Sequence, residues 1–136
     1  MEASSVCLDT SILIDNLRGE KRTVELIRGL EEVGTTLTTT AVTSFELYYG
    51  AYRSKKRDKN LAATETLLTR LVILDLTEES SNEAGRILAL LEEKGKLIGF
   101  RDALIAAIAM THKMTLLTRD TEHFSRIPDL KILKVT

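Results

Sequence analysis

Four acids, Asp9, Glu46, Asp102 and Asp120, are the side chains whose type and placement could do chemistry. Three of them follow stretches that read as strands, and the fourth opens a very apolar helical stretch. In a parallel sheet all strand carboxyl ends lie on one edge, so acids far apart in sequence meet there. At ~6 Å and an effective dielectric of ~20, each ionised pair costs roughly 3 kcal/mol before screening. Such a cluster persists if some acids keep their protons, or if a divalent cation supplies the missing positive charge. A donor set of carboxylate oxygens, with no Cys or His beside it, favours Mg2+ or Mn2+ over zinc. Those ions can activate water and neutralise charge on a phosphodiester held for in-line attack. Ser11 and Thr118 could add hydroxyl groups, and Arg101, next to Asp102, could touch a phosphate.

Each acid taken singly also has a structural explanation. Asp9, before Thr10-Ser11, could help cap a helix. Glu46 stands three residues after Thr43 and could complete a capping box. Asp102 gains dipole energy at a helix start, and Asp120 could be a turn residue. Their conjunction at one sheet edge is what favours a site. Asp75, between Leu74 and Leu76, reads as lying inside a strand, and Asp15 as marking the outer end of the first helix. Both are expected outside the site. His112 and His123 are expected at the surface, and Cys7 as a small buried hydrophobe. Arg53-Ser54-Lys55-Lys56-Arg57-Asp58-Lys59 holds five cations and one acid; it could steer RNA, bind a partner or form a solvated helix face.

Positioning the acids takes an alternation of strands and helices. Val6-Cys7-Leu8 reads as a buried first strand. Thr10 or Ser11 caps a helix through Leu17 that ends near Gly19. A second helix runs through Val24, Ile27 and Val33 to Gly34. Thr35 to Thr40 is rich in β-branched residues and reads as strand two. Thr43-Ser44-Phe45-Glu46 opens the next helix, and another runs from Leu61 to Leu71 beyond the basic stretch. Val72 to Leu76 is strand three, and Thr77 caps a long helix to about Lys94, with Gly95 as its stop. Asp102 begins the most apolar helix, Thr115 to Thr118 is strand four, and Asp120 leads a short turn or helix. Lys131 to Val135 is a last strand. The alternation predicts an α/β fold, a three-layer α/β/α sandwich around a central, mainly parallel sheet.

The 136 residues suit one domain, 1–136, with room for a core. A chain with 43% hydrophobic and 29% charged residues is not a disordered one. A net charge of −1 excludes a global polycation, so nucleic acid would be held by a local basic patch or through metal. The single cysteine excludes an internal disulfide framework and a zinc–thiolate cluster, and a reducing cytoplasmic setting fits it most simply. The first residues lack the basic start of a signal peptide. The longest apolar run, Ala103 to Met110, falls far short of the ~20 residues a membrane span needs, so no membrane association is expected.

Leu8-Asp9-Thr10-Ser11-Ile12-Leu13-Ile14-Asp15 resembles the opening of PIN-domain ribonucleases, especially the VapC toxins of type II toxin–antitoxin systems. Thr43-Ser44-Phe45-Glu46-Leu47 with Gly50, then Arg101 to Ala107, then Leu117 to Phe124 followed by Ile127 and Leu130, match in family order over nearly the whole chain. The resemblance implies a PIN-like fold and a Mg2+- or Mn2+-dependent endoribonuclease. It puts Asp9, Glu46, Asp102 and Asp120 at the positions of the catalytic quartet, with Asp9, Asp102 and Asp120 as metal contacts. Ser11 and Thr118 fall at the family's hydroxyl positions. The fourth acid varies between Asp and Asn in that family, which leaves Asp120 the least constrained contact. A homodimer and a cognate antitoxin covering the cleft are also implied. Phe100-Arg101 departs from the smaller or acidic residues usual there, which bears on substrate preference rather than on the metal site.

Other readings share the same residues. A PIN ribonuclease of RNA processing, outside any toxin pair, would have the same core, as would a PIN module that binds RNA or a partner without cutting. A phosphatase using Asp9 as nucleophile would want a second Asp at position 11, which is Ser. A phosphate-receiver domain would want another acid beside the first strand and a Lys on a late loop, and neither is evident.

Overall fold

A computed structural model describes residues 4–135; residues 1–3, part of the stretch read above as no signal peptide, and residue 136 lie outside it. In chain order the elements are β1 (Ser5–Leu8), α1 (Thr10–Leu17), α2 (Lys21–Glu32), β2 (Thr36–Thr40), α3 (Ala41–Arg53) and α4 (Arg57–Leu68). There follow β3 (Val72–Leu74), α5 (Glu78–Glu93), α6 (Phe100–Thr111), β4 (Thr115–Thr118), α7 (Thr121–Phe124) and β5 (Ile132–Lys134). The strands form one sheet in the order β3-β2-β1-β4-β5, and every neighbouring pair is parallel. The expected three layers are present, and among the described residues the sheet is wholly parallel.

Strand β1 explains why. Val6, Cys7 and Leu8 are all buried, as a central strand covered on both faces requires. Successive side chains point to opposite faces. Val6 and Leu8 pack with Ile12, Leu13, Ile27, Leu47 and Leu67 of α1 to α4. Cys7 packs on the other face with Ala84, Ile87, Leu91, Ile105 and Ile108 of α5 and α6. Leu117 and Leu116 of β4 repeat the alternation. Helix α6 has Ala103 and Ile105 to Ala109 buried, so the register of its first turn over the sheet is firmly set. Truncating a buried Leu13 or Ile108 to Ala would cost ~2–5 kcal/mol.

Several boundaries differ from the sequence reading. Helix α1 is capped by Asp9, the structural role considered for it above, rather than by Thr10 or Ser11, and α3 begins at Ala41 under a Thr40 cap rather than at Thr43. Strand β3 stops at Leu74, so Asp75 lies beyond the strand and exposed, not within it. Helix α4 stops at Leu68, short of Leu71. The positive φ of Gly34 and of Gly95, 81° and 70°, provides the left-handed turns beyond α2 and α5. No helix among the described residues is long and apolar enough to cross a membrane.

The strand order turns at β1, with β2 on one side and β4 on the other. A crevice outside the carboxyl ends at such a switch point is where open α/β sheets hold ligands.

Candidate active site

Asp9 is the first residue after β1 and is 4% exposed. Its Oδ1 accepts from the Ser11 hydroxyl at 2.8 Å and from the Ile12 amide at 3.1 Å, while the buried Thr118 hydroxyl donates to Oδ2. Thr118 Oγ1 in turn accepts from the Asp120 amide at 2.9 Å. One hydroxyl at the end of β4 thus ties two of the acids together. These bonds favour ionised Asp9, yet burial outweighs them, and with the Asp120 charge it lifts the carboxyl above its ordinary range.

Asp102, in the first turn of α6, is half-buried and also pushed upward. Burial contributes most; the charges of Asp120, Glu46 and Asp9 follow, and only His123 acts in the opposite sense. All three other acids act on Asp102 through their charge, so the four sequence-predicted carboxyls lie within electrostatic reach of one another.

Glu46 does not sit where a capping box would put it. It stands in the second turn of α3, and the cap bond runs from the Thr43 amide to Thr40 Oγ1. Thr10 donates to Glu46 Oε1 at 2.8 Å, and Arg101 lies 3.9 Å from Oε2. Thr10 has one hydroxyl proton, given to Glu46, so the 3.0 Å contact between Thr10 and Thr43 has Thr43 as donor. Thr40 donates to Thr43 at 3.2 Å, completing a chain of hydroxyls Thr40–Thr43–Thr10 that ends on Glu46. The sequence reading used Thr10 only as a cap candidate. Its signal was the density of threonines around a buried strand end, where hydroxyls need partners.

Asp120 caps α7 and is paired with His123, whose Nδ1 lies 2.9 and 3.0 Å from the two carboxylate oxygens. His123 is partly exposed, as expected, but it also touches the site through Asp120. His112 bonds only the Ile108 carbonyl of its own helix, at 2.8 Å. Asp15 is a second correction. It is buried rather than at an outer helix end, because Arg119, between Thr118 and Asp120, reaches it at 2.7 Å and fastens α1 to the end of β4. Arg101 is half-exposed on the rim, over the Phe100 ring at 5.7 Å. Cys7 is fully buried with its thiol pushed up to about 12, so it remains protonated and is no nucleophile.

Among the described residues no three Asp, Glu, His or Cys side chains are already arranged to enclose an ion. The donor set nevertheless fits a hard divalent cation, because it is all carboxylate oxygen and short of positive charge. A carboxylate offers roughly four acceptor sites, and the donors on Asp9 fill three, leaving one on Oδ2.

Residues 6–130 match the PIN domain family model, and the chain belongs to that family. It is 34% identical over 124 residues to ribonuclease VapC2 of Haemophilus influenzae, covering 91% of this chain and 92% of the relative. It is 35% identical over 92 residues to the tRNA(fMet)-specific endonuclease VapC of Salmonella typhimurium, over 68% of this chain and 70% of that one. Its branch is that of the VapC ribonucleases. The structure superposes on VapBC2 of Rickettsia felis bound to a promoter DNA fragment with a TM-score of 0.89 at 28% identity, covering 97% of this chain and 99% of that one. A toxin–antitoxin complex from Klebsiella pneumoniae superposes with a TM-score of 0.70 at 25% identity, over 95% and 96% of the two chains.

Proposed function

We propose that this chain is a single-domain, Mg2+- or Mn2+-dependent endoribonuclease whose catalytic acids are Asp9, Glu46, Asp102 and Asp120, and that it serves as the toxin of a type II toxin–antitoxin pair. The observation that carries the reading is the upward shift of both Asp9 and Asp102, from burial and from the neighbouring acids. Acids whose charged forms are disfavoured by burial and by one another are ones that a divalent cation would relieve.

Asp9, Asp102 and Asp120 would hold that cation, which when bound supplies Lewis acidity and neutralises charge developing on a phosphodiester. The remaining work belongs to the chain. Ser11, the Ile12 amide and Thr118 fix the rotamer of Asp9. The threonine chain fixes Glu46 by Oε1 and leaves Oε2 toward the cleft rim, where it can accept a proton from attacking water. Arg101, already near Glu46, offers a planar fork for a substrate phosphate.

The substrate class is RNA, and transfer RNA is the first to try, since a relative is named for cutting one. A cognate antitoxin completes the reading, supported by relatives solved as VapBC and toxin–antitoxin complexes, and a homodimer is part of the same proposal. The setting is cytoplasmic, where the lone buried Cys7 stays reduced. The test is cleavage of purified tRNA by the purified chain. Cutting should need added Mg2+ or Mn2+, stop in EDTA and vanish in Asp102→Ala. Protein that cuts no RNA and binds neither ion in calorimetry would sink the proposal. Growth arrest on expression, relieved by co-expressing a small neighbouring reading frame, tests the toxin role.

A further inference from the structure

We propose that the elbow between α3 and α4 binds the phosphate backbone of the RNA strand, reached from the acidic cleft along a groove beside α3. The proposal rests on the ribonuclease reading and extends it to how the substrate strand is held.

The elbow concentrates charge on a chain whose net charge is −1. Arg53 ends α3, Lys55 and Lys56 form the connection, and Arg57 and Lys59 open α4; all five are exposed. Among the described residues none of the five forms an ion pair, whereas Arg70, Arg86, Arg101, Arg119 and Arg126 each have an acid partner. Asp58 is the only acid in the stretch. Crowded, unpaired cations repel one another, and a polyanion is the partner that relieves them. The positive end of the α4 dipole adds to the same field.

The elbow is also built. The Ser54 hydroxyl donates to the Ala51 carbonyl at 2.7 Å, Asn60 Nδ2 donates to Ser54 Oγ at 2.8 Å, and Arg57 Nε donates to the Tyr52 carbonyl at 3.0 Å. Arg53 lies over the Tyr49 ring at 5.1 Å. These contacts hold the connection in place around a shallow cavity of about 450 Å³ lined by Ser54, Lys55, Lys56, Arg57, Asp58 and Lys59. No apolar side chain lines it, so it has no anchor for an amphipathic peptide, but it suits a backbone of phosphates.

Continuity with the acids gives the site its purpose. A groove of about 320 Å³ beside α3 is lined by Glu46, Ser54 and Asn60, with Ile14, Leu17 and Leu47 forming its apolar wall. Ser54 lines both this groove and the elbow cavity. From Glu46 to Ser54 the chain climbs α3 by about 12 Å at ~1.5 Å per residue, a distance a few nucleotides span. A strand with its scissile bond at the acids would lay flanking phosphates on the elbow.

The test is the triple variant Lys55→Gln/Lys56→Gln/Lys59→Gln, compared with Lys94→Gln/Lys96→Gln, whose exposed lysines follow α5 on the other face of the sheet. Binding of a labelled single-stranded RNA is measured over a salt series in the inactive Asp102→Asn background. Three lost phosphate contacts should make the log affinity–log salt slope shallower by about 2, since each counts ~0.7 on a single strand. In the active protein, KM for tRNA should rise about tenfold with kcat little changed, as expected where ground state and transition state are held alike. The lysine pair after α5 should change neither quantity. An unchanged slope and KM in the triple variant would overturn the proposal. So would unchanged RNA binding with lost affinity for a polyglutamate probe, which would assign the elbow to an acidic protein partner. If the triple variant melts below the wild type, Lys55→Gln alone should still flatten the slope by about 0.7. Wild-type protein that cuts no RNA would instead strike the ribonuclease reading, while the salt slope still judges the elbow.

Discussion

Asp102 and Glu83 are both helix acids, yet their surroundings act on them in opposite directions. Glu83, on α5, has Arg86 one turn along, and that guanidinium holds its carboxyl below the usual range. Asp102, on α6, is half-buried among Asp9, Glu46 and Asp120 and is pushed above it. The fold matches charge with countercharge on its outer face and leaves like charges facing one another at the strand ends. Where a structure keeps such a mismatch, the compensation comes from a ligand, and perturbed carboxyls in a cleft mark a functional site.

The largest effect should come from Asp102→Asn. Cleavage should fall about 1,000-fold or more, equivalent to ~4 kcal/mol of barrier, measured as initial rates at saturating metal. The same substitution should stabilise the fold in EDTA at pH 7. Because the folded-state value of Asp102 lies above its ordinary 3.8, the folded protein holds that proton more tightly than the unfolded chain. Ionised Asp102 therefore costs stability at neutral pH. That cost shrinks as pH falls through the raised value and vanishes only below 3.8, where both states become protonated. Calorimetric melts of wild type and variant should differ most at pH 7 and converge in acid. A variant less stable than wild type at pH 7 in EDTA would show that the acids do not repel as described.

Thr118→Val comes next. It keeps the shape of a fully buried side chain but strips Asp9 Oδ2 and the Asp120 amide of their shared partner. Loss of such a supporting group typically lowers metal affinity or activity by about 10- to 100-fold. Calorimetry with Mn2+ and a rate assay would check it. The stability cost should be ~1–3 kcal/mol, from the unpaired buried groups.

Much of this arrangement was legible in the sequence because central parallel strands are buried on both faces and read as short apolar or β-branched runs. Val6 to Leu8 and Thr115 to Thr118 announce themselves in that way, and the acids just past them follow from topology alone. The cap of α3 did not, because Thr40 and Thr43 have the same capping chemistry and only the backbone decides between them. Asp75 was misplaced because β3 is an edge strand of three residues, too short to show its own end. Asp15 with Arg119 joins the end of β4 to α1, a pairing that leaves no local pattern. His123 with Asp120 is local, three residues apart, but only the short helix α7 makes that spacing a contact.

Thr10→Val tests the misread cap directly. If Glu46 is oriented by the hydroxyl chain, removing its Oε1 partner should slow cleavage about tenfold, as for other supporting groups. A helix whose cap is Thr40 should keep its stability within ~1 kcal/mol. Thr40→Ala should do the reverse on stability, costing ~0.5–2 kcal/mol through the cap itself. Equal stability losses in the two variants would return Glu46 to a structural role.

The smallest effect belongs to the other half of the comparison. Glu83→Gln removes the acid of an exposed pair and should cost no more than ~1 kcal/mol. Its sign with pH is opposite to that of Asp102. The folded-state value of Glu83 lies below its ordinary 4.5, so its contribution is present above 4.5 and is lost as pH falls through the folded value. Wild type and Glu83→Gln should therefore also converge in acid, but with wild type the more stable at neutral pH, and with cleavage unchanged. Two acid-to-amide changes that converge from opposite sides would separate a charge the fold has paired from one it has left for a ligand.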